Sequence, residues 1–66
     1  MRVYRCYFLD GERRLLEGET LSAEDDASAR AAAMRVLQNS NYASAELWQG
    51  SRLIGVLHQR RSVTDI

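Results

Sequence analysis

The sequence predicts a small α+β domain of ββαββ order, and three observations carry that expectation. Only one stretch, Ser22 to Gln38 (SAEDDASARAAAMRVLQ), has the composition of a helix. A pair of strand-like runs precedes it and a second pair follows, each pair joined by a glycine-bearing turn. The chain has 66 residues, enough for one domain around one core. Together these give a four-stranded sheet with one helix laid on one face. Strands 1 and 4 run one way and strands 2 and 3 the other. The order 2-1-3-4 therefore makes every pair antiparallel and places the first strand inside, whereas 2-1-4-3 needs one parallel pair and is the alternative. The domain is expected to span residues 1–58, with 59–66 a disordered tail.

The first strand is Val3 to Leu9 (VYRCYFL). Alternation puts Tyr4, Cys6 and Phe8 on one face and Val3, Arg5, Tyr7 and Leu9 on the other. Both faces carry apolar bulk, the pattern of a strand covered on two sides. Asp10-Gly11 marks a hairpin, with Gly11 free to take positive φ and Glu12 and Arg13 completing the connection. Arg14 to Leu21 then reads as an edge strand, polar and interrupted by Gly18, where a bulge is expected.

Ser22 is the expected N-cap of the helix, with Glu24, Asp25 and Asp26 in the first turn, where the macrodipole favours negative charge. At about 100° per residue, Ala29, Ala33, Val36 and Leu37 share one arc, flanked by Ala27 and Met34. That face is mostly methyl groups, so the bulk of the core has to come from the sheet. The stem of Arg30 is expected along the core edge, its head paired to Asp26 one turn back. Asn39 to Ala43 is a turn-rich connector. Ser44 to Trp48 (SAELW) forms the third strand, with Ala45 and Leu47 on one face and Glu46 and Trp48 on the other. Gln49-Gly50-Ser51 turns the chain into Arg52 to His58 (RLIGVLH), where Gly55 allows a close approach from above.

Nine basic and nine acidic residues cancel, so net charge points to neither nucleic acid nor an anionic membrane. All nine basic residues are arginine, which reads as genome composition before it reads as anion recognition. No run approaches the ~18 apolar residues of a membrane span, and a cytoplasmic location is expected.

Residues that could carry chemistry are few. Cys6 is the single cysteine and His58 the single histidine, so neither an intrachain disulfide nor a zinc set of Cys and His can be assembled. Cys6 reads as a buried small hydrophobe and His58 as a strand-terminal residue. Glu17 and Glu19 share a strand face, but an exposed charged edge accounts for them without acid–base catalysis. No nucleophile, base and orienting group come together and no glycine-rich phosphate loop is present, so no catalytic, cofactor or metal residue is assigned and a non-enzyme is expected.

The runs just read also resemble a type of short bacterial ββαββ protein of unknown function. The likeness rests on the aromatic first strand ending in Asp10-Gly11, on Glu24-Asp25-Asp26-Ala27 opening an alanine-rich helix, and on Glu46-Leu47-Trp48-Gln49-Gly50 followed by Arg52-Leu53-Ile54. It covers Tyr4 to Leu57 and implies a fold without implying an activity.

Function is therefore expected at a surface. One helix covers one side of a sheet, leaving Val3, Tyr7, Leu9 and Trp48 on the other, and a chain this short lacks the usual disulfide or metal support. A homodimer through that face is the leading expectation, with another protein partner as a variant of it. The alternative is a single-stranded nucleic-acid binder using Tyr7, Trp48, Arg5 and the tail arginines Arg60 and Arg61, against which Glu17, Glu19 and Glu46 weigh.

Overall fold

The computed structural model describes residues 1–59. Its elements are β1 (Arg2–Leu9), β2 (Leu15–Ala23), α1 (Asp26–Gln38), β3 (Ser44–Gln49) and β4 (Arg52–His58). They form one antiparallel sheet in the order β2-β1-β3-β4 with α1 on one face, the ββαββ arrangement read from the sequence. β1 is interior, paired with β2 along one edge and β3 along the other.

Period two in β1 meets a narrow stripe on α1 to make the core. Tyr4, Cys6 and Phe8 point under the helix with Ala45 and Leu47 of β3, Leu57 of β4 and Ala23 of β2. From above, α1 contributes Ala29, Ala33 and Leu37, spaced one turn apart. Two alanines let the helix axis sit low, so the bulk comes from Tyr4, Phe8, Leu37 and Leu47, each worth ~2 kcal/mol in apolar burial. Val36, expected on this arc, faces outward, because the stripe is only one residue wide.

The helix starts later than its composition suggested. Ser22 and Ala23 remain in β2, opposite Val3 and Arg2, and the ladder they complete outcompetes a cap at Ser22. The N-cap is Asp25, whose Oδ1 accepts from the Ser28 backbone N–H at 2.8 Å. Asp26 is the acidic residue of the first turn.

Turn chemistry also departs from expectation at the first hairpin. The left-handed residue is Arg13 (φ 66°), not Gly11. Asp10 Oδ1 accepts from the backbone N–H groups of Glu12 (2.8 Å) and Arg14 (2.9 Å), and its second oxygen receives Arg14 Nε at 3.1 Å. This carboxylate-centred turn shifts the register between Phe8 and Leu9, so the irregularity in the β1–β2 ladder lies there and not at Gly18. Gly18 pairs with Tyr7, whose ring lies over it: a Cβ at Gly18 would stand 3.2 Å from the ring edge. At the second hairpin Gly50 does take positive φ (61°).

Gly55 is approached from above, as expected, by Arg30. The guanidinium lies 3.1 Å from where a Cβ would be and donates to the Ile54 carbonyl at 3.1 Å. The anticipated Arg30–Asp26 pair is thereby replaced by a bond from helix to sheet edge. Gln59, read as the first residue of the tail, donates from its backbone to Ala43 O at 2.9 Å and from Nε2 to Leu37 O at 2.6 Å. The rest of the expected tail, from Arg60, lies outside the described residues.

Candidate functional site

The sheet face away from α1 is built by alternation from all four strands. β1 sends Val3, Arg5, Tyr7 and Leu9 to it. Their register partners follow: Leu15 beside Leu9 on β2, Trp48 beside Arg5 and Glu46 beside Tyr7 on β3. On β4, Leu53 pairs with Trp48 and Val56 with Glu46. A register shift at Leu47/Trp48 keeps Leu53 on this side while Ile54 packs against the core.

All four residues singled out from the sequence, Val3, Tyr7, Leu9 and Trp48, lie on this face. Tyr7, Leu9 and Trp48 line a shallow concavity of about 450 Å³ together with Leu15, Glu46 and Gly50. Val3 stands outside it, toward the Arg2 end, and is 60% exposed. Three further apolar residues were not singled out: Leu15 at 61%, Leu53 at 46% and Val56 at 46% exposure. Period-two patterning fails to flag Leu15 because a bulge interrupts its strand, and Leu53 and Val56 sit in a run too uniformly apolar to betray its outer side.

Polar groups on the face are few and arranged around Tyr7 and Trp48. Arg5 Nη1 donates to Thr20 Oγ1 at 3.0 Å while its guanidinium carbon lies 5.5 Å from the Tyr7 ring centroid. The Trp48 indole N–H donates to Glu46 Oε1 at 3.1 Å. At the Leu9 end a second hollow, lined by residues including Asp10, Arg13, Glu46, Val56 and His58, mixes both signs of charge. His58 is exposed there, as a strand-terminal residue should be.

The helix side holds the other chemistry-bearing residues, and they serve the fold. Cys6 is fully buried. Burial, with the Glu19 carboxylate as a smaller contribution, pushes its thiol up to about 11, far from a reactive thiolate. The two glutamates of β2 are split in role. Tyr42 stacks on Phe8 (centroids 4.9 Å apart, interplanar angle 23°) and donates its hydroxyl to Glu17, which raises the Tyr42 pKa. Tyr42 closes the core beyond the end of α1. It was not singled out because it sits in a turn-rich connector, and its only sequence signal is an aromatic amid asparagines and serines. Among the described residues no cluster of His, Cys, Asp and Glu could hold a metal ion, and no helix is long and apolar enough to cross a membrane.

No family model, curated protein or solved structure matches this chain.

Proposed function

We propose that this chain is a non-enzymatic interaction module that self-associates through the uncovered sheet face. The observation that carries the reading is the composition of that face: Val3, Tyr7, Leu9, Leu15, Trp48, Leu53 and Val56 form one apolar field across four strands. Exposed fields of this kind are interaction sites more often than they are inert surface. A standard interface takes ~800 Å² from each partner, here about a fifth of the 4402 Å² accessible surface, and the uncovered sheet face presents four strands side by side to supply it. A two-fold pairing buries the same field twice and closes on itself. It also adds support to a small core in which four of the ten buried hydrophobic residues are alanine. The experiment is light scattering across concentration: a mass rising from one chain to two between low and tens of micromolar supports the module, and a constant single-chain mass rejects it.

The second reading, a single-stranded nucleic-acid platform, is favoured by one contact, the Arg5 guanidinium over Tyr7 beside Trp48. Glu46 sets a carboxylate into the same platform and counts against it. Salt-dependent retention on single-stranded oligonucleotides would revive it.

A further inference from the structure

Two side chains of opposite charge stand inside the apolar field, and their placement is self-complementary. Arg5 pairs in register with Trp48 and Tyr7 with Glu46, so Arg5 and Glu46 occupy one diagonal of a four-residue square and Tyr7 and Trp48 the other. Among the described residues neither Arg5 nor Glu46 has a counter-charge: Arg5 is held by Thr20 and Tyr7, Glu46 by the Trp48 indole. Covering either charge with an apolar surface would be costly, so an occupant of this face has to bring an anion to Arg5 and a cation to Glu46 at matching spacing. A second copy of the face, turned about a two-fold axis, brings both.

Resting on the self-association reading above, we propose that the dimer is oriented by two reciprocal ion pairs, Arg5 to the partner's Glu46 and Glu46 to the partner's Arg5, flanking a centre of Tyr7 and Trp48. The axis that exchanges the ends of the Arg5–Glu46 diagonal runs along the sheet face and passes close to the other two corners, so Tyr7 meets the partner's Tyr7 and Trp48 the partner's Trp48. With ~4.8 Å between strands and ~6.8 Å for two residues along one, strands of the two copies cross at roughly 70°, within the orthogonal class of sheet packing. The apolar residues supply the attraction and the ion pairs select this orientation over others that bury as much area.

A charge-swap series tests it. Arg5→Glu leaves each copy with two carboxylates on the field and Glu46→Arg leaves two guanidinium groups. Each variant alone should dimerise at least ~100-fold more weakly than the parent chain. The double swap Arg5→Glu/Glu46→Arg restores both pairs and should return within ~10-fold of the parent. Mixing the two single variants should give a heterodimer, resolved from either homodimer by native mass spectrometry, with circular dichroism confirming that each variant is folded. Single swaps that dimerise like the parent, or a double swap and a mixture that recover nothing, overturn the ion-pair orientation. Failure of the face itself has a separate signature, a Trp48→Glu variant that dimerises as well as the parent.

Discussion

The hydroxyl of Tyr4 donates to Oδ1 of Asp26 across 2.8 Å, tying the buried side of β1 to the first turn of a helix 22 residues later. Arg52 reaches the same carboxylate from β4 at 3.3 Å. One acidic side chain thus joins the helix start to an inner strand and to an edge strand. The Tyr4 bond, ahead of Arg52, holds the Asp26 carboxyl below the usual carboxylate range, while burial, ahead of the Asp26 contact, raises the Tyr4 phenol.

These shifts predict a stability plateau with two edges. Asp26 has a depressed folded pKa, so its contribution is complete above pH 3.8 and is lost as pH falls through the lower folded value. Tyr4 has a raised folded pKa, so its contribution is complete below pH 10.0 and is lost as pH rises through the folded value. Thermal melts across pH should show both edges, and Tyr4→Phe should lower the melting temperature at neutral pH while flattening both. Unaltered edges in Tyr4→Phe would mean that other groups set the pH range.

Cys6 adds to the alkaline edge with the same sign. Its thiol ionises near 9.0 in an unfolded chain and at about 11 in the fold, so stability is lost between these values as pH rises. At pH 8 a thiol reagent should label the native protein only as fast as the domain opens, and denaturant should accelerate labelling. Rapid native labelling would contradict the buried position.

The cap assignment separates two substitutions. Asp25→Ala removes the acceptor for Ser28 N–H and should lower the melting temperature by ~5 °C. Ser22→Ala changes an exposed residue of β2 and should leave it almost unchanged. A larger effect at Ser22 in paired calorimetric scans would place the cap where composition alone suggested.

That pair of residues shows how far sequence reaches in this chain. The element order, the strand order and the inward side of β1 follow from period-two alternation and chain direction, which are local and additive. Where the helix begins depends on whether Ser22 and Ala23 gain more from Val3 and Arg2 across the ladder than from a cap, a comparison with residues some twenty positions away. Tyr4–Asp26, Phe8–Tyr42 and Arg30 over Gly55 are likewise long-range choices with no periodic trace. On the candidate face, β1 and Trp48 were legible because one face of an alternating strand must be uncovered. Leu15 was not, because a bulge interrupts the alternation of β2, and Leu53 and Val56 were not, because their run is apolar throughout and an irregularity beside Leu53 breaks its period.

Ala33 tests the helix seating. It is fully buried between Ala29 and Leu37 on the contact stripe, and Ala33→Asp should cost ~4 kcal/mol by burying an unpaired carboxylate. For a chain of this length that approaches the whole stability, so the variant should lack a cooperative melt. A cooperative melt near that of the parent would mean that α1 is turned differently on the sheet.

Whether the apolar sheet face holds two copies together is decided by sedimentation equilibrium of Trp48→Glu beside Arg35→Glu at tens of micromolar. Trp48 lies in the field; Arg35 is exposed on α1, on the opposite side of the sheet. Trp48→Glu should sediment at the single-chain mass of 7.5 kDa, and both Arg35→Glu and the parent chain at twice that mass. A parent chain that sediments at 7.5 kDa, or a Trp48→Glu variant that keeps the double mass, would contradict that pairing.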